Sequence, residues 1–483
     1  MIRRIGAVYL LKEKMRQRAL SMIQLPNHFK PFLEDYFEGE NGDGEVMFSW
    51  TDEEQDEGIT IKLDNSGNLT SLSINSKDNN SEVVPLNVEE KRDRVEQFLL
   101  SHYPEALKDL TFYNIKKLTR TDRFYYEQIV MDLPLGNAGC YIDINWLGDI
   151  VEFTYYGVKP IPDIPSTLIS KEALMEHVQN TLDLELGIDK LYSGTYNVEE
   201  KGFHLVYEID SFYQYKADVL QPTLTIIHDE DEPERYISLP TFSNKLEIND
   251  LSNEETIGIL DGMEIIREVD MGEEMGIVWR DRDWENEETD LSIDSFFRRQ
   301  TEDTVKAFIS KKSAKVRSFM WFKERSGNLQ LSREACYQKA IIFLQNKISE
   351  YYQYLQLVVA DHEEEDDTAL NEVFRFHMHN GQSIPIHNFV VVNVNRTTGL
   401  VDSFSGPNFE VEELKRLPAK PIISKKEASE IFFNHVDFEL AWNKNYDDET
   451  ESYTLVYQAC DRQTRKPIRY IDAITGVAIS YKE

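Results

Sequence analysis

Three histidines in the C-terminal half have the residue type and spacing that come nearest to a metal site. His377 and His379 alternate along a predicted strand, which would place both imidazoles on one face, and His387 follows beyond a turn. Imidazole nitrogens are common zinc ligands, so this set could hold a zinc ion. The chain has no His-Glu-x-x-His motif and no cysteine pair at metal-ligand spacing. A solvent-facing strand is therefore the alternative interpretation, and no cofactor is expected.

Motifs of nucleophilic catalysis are missing from the sequence. The chain contains neither a Gly-x-Ser-x-Gly elbow nor a glycine-rich loop of the kind that binds phosphate. Its three cysteines, Cys140, Cys336 and Cys460, are too few for a disulfide framework, and we expect buried thiols. No catalytic residue is therefore assigned.

A basic segment is the second candidate site. Residues 304–340 carry nine Lys or Arg and two Glu, in a chain whose net charge is −35. Just before it, residues 280–303 form an insertion relative to an earlier similar stretch, and insertions into repeats often carry function. Two interpretations are open: a site for an anion or an acidic partner, or a contact with the acidic other half of the chain. The candidate residues are Arg280, Arg282, Trp284, Lys311, Lys312, Lys315, Arg317, Lys323 and Arg325.

Composition limits the classes of partner. With 87 acidic against 52 basic residues, the chain as a whole is unsuited to nucleic acid or an anionic membrane, which need a cationic surface. No stretch approaches the ~20 apolar residues that span a bilayer. The apolar run from Ile5 to Leu11 is too short for a signal peptide and has no cleavage site after it. We therefore expect a cytoplasmic protein.

Repeated helix and hairpin patterns must position these residues. Four helices are predicted to begin at a capping residue and to bury apolar residues eight and twelve positions later. Capping boxes are predicted where glutamate stands three residues on, at Glu90 and Glu427. Each helix is followed by strands, and tight hairpins are predicted at four turn glycines. The predicted caps are Asn87, Ser170, Ser332 and Ser424, and the turn glycines are Gly67, Gly148, Gly399 and Gly476.

A longer repeat divides the chain into two halves. The phrase Ile169–Ala173 recurs as Ile423–Ala428, and Leu205–Tyr207 recurs as Leu455–Tyr457. We predict an α+β fold of tandem modules, each with one helix on a short antiparallel sheet, with three modules in each half. The predicted divisions are an N-terminal extension 1–14, then modules 15–78, 86–158 and 167–240, then their copies 252–325, 331–406 and 422–483.

The modules resemble a known family. Ile422–Ala428 and Tyr470–Val477 resemble PepSY-like modules, and the chain from Met15 to Glu483 resembles the YcdB/YcdC repeated-domain family of spore-forming bacteria. The phrases Trp279–Asp281 and Phe319–Phe322 support that resemblance. It implies protein binding rather than chemistry, with a peptidase as the partner or a spore-associated scaffold role, and it supplies no catalytic residues.

Two hypotheses about function follow. The first is a non-enzymatic protein-binding protein that uses exposed sheet edges or clefts between domains. The second is a hydrolase with its site in a cleft near the insertion 280–303 and the basic segment 304–340. The sequence leaves the oligomeric state open.

Overall fold

The computed structural model describes residues 12–37, 44–77, 86–209, 214–223, 235–241, 252–285, 290–359, 369–417, 420–445 and 452–482. The first repeat is an antiparallel sheet in the order β1-β2-β3-β4-β8-β7-β6-β5, with a helix on one face. Its elements are α1 (residues 12–20), β1 (Lys30–Phe37), β2 (Glu45–Thr51), β3 (Gly58–Asp64), β4 (Leu69–Asn75), α2 (Val88–His102), α3 (Ala106–Asp109), β5 (Thr111–Lys117), β6 (Thr121–Val130), β7 (Leu133–Asn145) and β8 (Ile150–Gly157).

A shorter unit leads from the first repeat to the second. Its elements are α4 (Lys171–Thr181), β9 (Glu185–Leu191), β10 (Gly202–Glu208), β11 (Gln214–Lys216) and β12 (Arg235–Ser238). The second repeat then contains α5 (Asn253–Ile257), β13 (Met263–Asp270), β14 (Glu274–Asp281), α6 (Ile293–Thr301), β15 (Thr304–Ser310), β16 (Val316–Trp321), α7 (Arg333–Lys347), a 3-10 turn (Tyr352–Tyr354), β17 (Leu355–Val359), β18 (Asn371–His379), β19 (Pro385–Asn395) and β20 (Val401–Ser405).

The second repeat reproduces the strand order of the first. Its strands run β13-β14-β15-β16-β20-β19-β18-β17, and β12 is added beyond β17. The C-terminal unit follows with α8 (Val411–Lys415), α9 (Lys425–His435), β21 (Val436–Asn445), β22 (Ser452–Asp461), β23 (Ile468–Asp472) and β24 (Ala478–Ser480). The mixed α+β class and the internal duplication are therefore confirmed, whereas the division of each half into three units stays a prediction.

Local signals in the sequence place the helices and turns. All four predicted capping residues are N-caps whose side chains accept a backbone N–H, and both predicted capping boxes form. The four turn glycines have φ between +72° and +88°, a region that disfavours residues with a Cβ atom. The three cysteines are buried, as expected. Helix starts and hairpin positions thus follow from short-range chemistry.

The two shorter units exchange their first hairpins. The β9-β10 hairpin pairs with β23 of the C-terminal unit, whereas β11 pairs with β22. We call α4, β11, β21 and β22 the first exchanged module, and α9, β9, β10, β23 and β24 the second exchanged module. Each module therefore takes its helix from one copy of the unit and its first hairpin from the other.

Matching hydrogen bonds hold the two exchanged modules. Tyr457 on β22 donates to the carbonyl of Ile169 before α4, at 2.7 Å. In the other module, Tyr207 on β10 donates to the carbonyl of Ile423 before α9, at 2.8 Å. The backbone N–H of each isoleucine donates to Ala217 or Ala473 of its own copy, at 2.8 and 2.9 Å. The same three-residue arrangement thus occurs twice, once in each exchanged module.

Each exchanged module is fixed to one repeat. In the second module, β9 pairs in parallel with β19 through Ile188 and Ile386. In the first module, Trp442 of β21 donates from Nε1 to the carbonyl of Val130 in the first repeat, at 3.0 Å. Both connections belong to one extended hydrophobic core. The exchange therefore ties the two repeats to each other through both short units.

The insertion of the second repeat docks on the first repeat. Before α6, the carbonyl of Leu291 accepts the N–H of Glu34 at 2.8 Å, and the N–H of Ile293 donates to Asp35 Oδ2 at 2.8 Å. The rings of Phe296 and Phe32 meet edge to face with centroids 5.4 Å apart. The insertion thus covers the outer edge of β1.

In the part of the chain that the structure describes, no helix has the length and apolar character needed to cross a membrane.

Replacing Tyr207 or Tyr457 by phenylalanine should destabilise the fold. Each change removes one buried hydrogen bond and leaves a carbonyl unsatisfied, which costs ~1–3 kcal/mol of unfolding free energy. Urea unfolding monitored by circular dichroism measures the loss. The matched control is Tyr113→Phe, at an exposed tyrosine, which should change little. A neutral result at both buried positions would contradict the role given to these bonds.

Candidate functional site

A polar cavity of about 530 Å³ lies between the second repeat and the second exchanged module. It forms where the turn between β13 and β14, the end of β15 and the start of α8 meet the β9-β10 hairpin. It includes three residues predicted as site candidates, Lys311, Lys312 and Arg317, together with two lysines from the other half that the sequence did not single out. The charged lining residues are Lys190, Lys201, Lys311, Lys312, Arg317, Glu273, Glu274, Glu410 and Glu413.

Most charges in this cavity already have a partner. Lys201 pairs with Glu273 at 2.6 Å, and Arg317 pairs with Glu410 while also donating to the carbonyls of Pro407 and Phe409 at 2.6 and 2.7 Å. Lys190 donates to the carbonyl of Asn408 at 3.1 Å, and burial lowers the pKa of its ammonium. The cavity is therefore a charge-balanced joint between two modules, rather than a strongly cationic pocket.

The basic segment binds acids of its own half. Lys315 pairs with Glu350 at 2.9 Å, and Arg333, also in this segment, pairs with Glu372 at 2.7 Å. Three further pairs are Lys311 with Asp270, Lys323 with Asp281, and Arg325 with Asp402. The interpretation that this segment contacts the acidic other half is therefore wrong for these pairs. Strand pairing places β15 and β16 beside other strands of the second repeat, whose acids they meet.

The insertion residues have structural contacts. Arg280 is buried and donates to the carbonyls of Arg299 and Glu302, and its guanidinium lies 3.9 Å from the ring centroid of Trp284. Arg282 is exposed and lies 3.7 Å from Glu264. These contacts close the base of the insertion, so Arg280 is not available to an anion from solvent.

The cavity is lined by part of the basic segment and by no residue of the insertion 280–303. Arg280 is paired with Thr304 at the start of β15, whereas Lys311 follows the end of that strand. Seven residues of extended strand therefore separate Arg280 from Lys311 by about 20 Å. Lys323, at the other end of the basic segment's hairpin, lies beside the insertion and pairs with Asp281.

The three histidines of the expected metal site do not converge. The register of β18 against β19 shifts between His377 and Met378, because His387 and Asn388 are extra residues on β19. The buried ring of His377 packs against Tyr236 and Phe389. His379 accepts the N–H of Gly381 at 2.9 Å. Among the described residues, no group of three or more His, Cys, Asp or Glu side chains has the arrangement of a metal site.

His387 instead lies at the joint between the second repeat and the second exchanged module. Its Nδ1 lies 3.3 Å from Glu208 Oε2 and 3.7 Å from Asp189 Oδ2. The ring packs so close to Gly187 that a Cβ there would lie 2.8 Å from Nε2. Asp189 is the main cause of a raised pKa for His387; burial opposes the rise and Glu208 adds to it. This histidine therefore links two modules by charge.

The open face of the second-repeat sheet carries residues that the sequence analysis missed. Helix α7 covers the other face, where Phe343 packs on Phe319 and Phe404. Arg267, Lys306 and Arg375 lie on the open face, in register rows that alternate with the covered ones. Of these three, only Lys306 belongs to the basic segment. Arg267 and Arg375 are distant from it in sequence, and strand pairing brings them to the same face.

Comparisons with known proteins agree with the duplication. The family model described as the YcdB, YcdC repeated domain matches residues 12–157 and 248–408, which coincide with the two repeats. The chain is 31% identical over 482 residues to "Uncharacterized protein YcdB" of Bacillus subtilis (strain 168), covering 98% of both chains. It is 28% identical over 479 residues to "Uncharacterized protein YcdC" of the same organism, covering 96% of this chain and 98% of the relative.

One solved structure shows a partial likeness. It is the Bacillus megaterium YpeB C-terminal domain, with 13% sequence identity and a TM-score of 0.26. The match covers 44% of this chain and 95% of the solved chain.

The His387 joint should make stability depend on pH in a defined direction. Because the pKa of His387 is higher in the folded chain than its ordinary 6.5, its protonation contributes stability that is complete below pH 6.5. That contribution is lost as the pH rises through the folded-state value. Urea unfolding should show His387→Gln less stable than the parent at about pH 6, with the difference shrinking as the pH rises above the folded-state pKa. A difference that stays constant with pH would contradict this role.

Proposed function

The chain belongs to the YcdB/YcdC repeated-domain family, and from that premise we propose that it is a non-enzymatic protein-binding protein. Binding takes place at the outer edge of the second repeat, where an extended segment of the partner adds to strand β13. A peptidase is the class of partner that the PepSY-like resemblance of the modules implies, and a spore-associated scaffold is the setting that the family resemblance implies.

The observation that carries this proposal is the difference between two equivalent strands. Strand β1 has its outer edge covered by Leu291 of the insertion. Strand β13 holds the same place in the second repeat, and among the described residues it pairs only with β14. Ile265 and Ile266 on β13 are 47% and 46% exposed. Among the described residues, the duplication thus leaves one edge covered and the other open.

An open strand edge with two exposed isoleucines favours a binding role for a physical reason. Its unpaired N–H and C=O groups can form a backbone ladder with any extended chain, and proteins usually protect such edges with lysine, proline or a covering segment. Addition of a partner strand combines this ladder with pockets for alternate side chains. The exposed isoleucines of β13 would supply the apolar contacts.

A hydrolase is not proposed. The cavity that the basic segment lines is charge-balanced, and it contains no residue of the insertion. No second observation in the described residues selects a set of catalytic side chains.

The double substitution Ile265→Lys with Ile266→Lys should abolish partner capture. Lysines at an edge oppose strand addition by charge and remove the apolar contacts. The immobilised parent protein should recover a stoichiometric partner from a lysate of a spore-forming bacterium, identified by mass spectrometry. The variant should lose that partner at unchanged melting temperature.

The matched control replaces two exposed isoleucines in the segment between β8 and α4, Ile161→Lys with Ile164→Lys. This control should retain the partner, since it makes the same chemical change away from β13. Equal capture by all three proteins would refute the edge as the site. A parent protein that recovers no stoichiometric partner would contradict the proposed function itself.

A further inference from the structure

The open face of the second repeat has an unusual charge distribution. One register row crosses the sheet through Arg267, Val278, Lys306, Met320, Ser403, Asn393 and Val373. The next row on the same face contains Val269, Gly276, Phe308, Ser318, Ser405, Val391 and Arg375. Neither row contains a carboxylate, in a chain with 87 acidic residues. We call these two rows the cationic face.

In the part of the chain that the structure describes, the three cations of this face have no acidic partner. Among the described residues, no ion pair forms at Arg267, Lys306 or Arg375, whereas most of the basic segment is paired. Lys306 lies 4.9 Å from the ring centroid of Phe322, and Arg375 lies 4.9 Å from that of Phe389. Burial, with Arg267 and Arg280 nearby, lowers the pKa of Lys306. A carboxylate from outside would relieve that cost.

The equivalent face of the first repeat neutralises its own cation. There Arg123 donates to Asp143 from Nε at 2.6 Å and from Nη2 at 3.0 Å, and to Glu152 at 3.1 Å. Strand pairing places Asn393 and Ser403 of the second repeat where the first repeat has Asp143 and Glu152, and Val373 where it has Arg123. The second repeat thus lacks this ion-pair cluster, and its own cations lie at other positions of the same framework.

The cationic face is also large and partly apolar. In sheet order it crosses the seven strands β13, β14, β15, β16, β20, β19 and β18. At about 4.8 Å between neighbouring strands, its width is about 29 Å. Phe308, Met320 and Val373 are 38%, 47% and 46% exposed on it. An occupant must therefore offer apolar side chains as well as negative charge.

We propose that the cationic face binds an acidic, amphipathic segment of a protein partner. The proposal rests on the protein-binding function above and names the chemistry of the partner. Carboxylates of the segment pair with Lys306 and Arg375, and its apolar side chains cover Phe308 and Met320. An anionic membrane is disfavoured, because three dispersed cations cannot offset the repulsion of a chain with net charge −35.

Binding of synthetic peptides tests this proposal. The probe is a fluorescent peptide of about 15 residues with glutamate and leucine at amphipathic helical spacing, and the comparison peptide has lysine in place of glutamate. Fluorescence anisotropy should show binding of the glutamate peptide alone. Lys306→Glu with Arg375→Glu should weaken it at least tenfold, and about 0.5 M salt should weaken it similarly in the parent protein.

The matched control reverses two exposed lysines on β5 of the first repeat, Lys116→Glu with Lys117→Glu, and should bind like the parent. If the glutamate double variant does not fold, Lys306→Gln with Arg375→Gln replaces it, with the same direction expected. Equal binding by all variants would overturn the proposal. So would binding of vesicles of phosphatidylserine and phosphatidylcholine that depends on Lys306 and Arg375.

Testing both sets of substitutions on one captured partner distinguishes a failure of this proposal from a failure of the proposed function. If that partner is lost with the lysine substitutions at Ile265 and Ile266 but is insensitive to charge reversal at Lys306 and Arg375, the edge site stands and the cationic face is refuted.

Discussion

The exchange of hairpins between the two short units is the constraint on which the rest of the structure depends. A two-stranded hairpin is too narrow to cover the apolar face of a helix. Each unit must therefore complete its core with strands from elsewhere. Here each copy takes the first hairpin of the other copy, and the carbonyls of Ile169 and Ile423 mark the two equivalent joints. The two repeats are thereby held in one arrangement by the modules between them.

The two repeats have the same strand order but different surfaces. The insertion of the second repeat covers β1 of the first, while β13 has no such cover among the described residues. Asp143 and Glu152 neutralise Arg123 on the first repeat, while Val373, Asn393 and Ser403 take these places on the second. Among the described residues, Lys306 and Arg375 of the second repeat form no ion pair. The core positions of both copies keep the fold, so substitutions at the edge and on the open face change the surface at little cost in stability.

Sequence patterns predicted the local structure well because its causes are local. The N-cap at Ser424 and the turn at Gly476 depend on residues within a few positions, and both occur where expected. The exchange could not be predicted, since Leu205–Tyr207 and Leu455–Tyr457 are alike and either hairpin could complete either module.

Sites depend on long-range pairing, and there the sequence was less informative. The excess of bases in residues 304–340 was real, but the partners of Lys323 and Arg325 are Asp281 and Asp402, which only the sheet register brings close. His387 was assigned to a metal site because His377 and His379 precede it; a bulge and the contact with Asp189 direct it elsewhere.

Disulfide trapping tests the exchange most directly. In the exchanged arrangement Gln214 of β11 is the register partner of Gln458 on β22. Without exchange, the equivalent pairing of Glu208 with Tyr470 indicates that Gln214 would lie opposite Glu208 of its own unit. Mild oxidation of Gln214→Cys with Gln458→Cys should give an intramolecular disulfide, detected by mass spectrometry of the digested monomer, while Gln214→Cys with Glu208→Cys stays reduced. A disulfide in the second variant, with none in the first, would contradict the exchange.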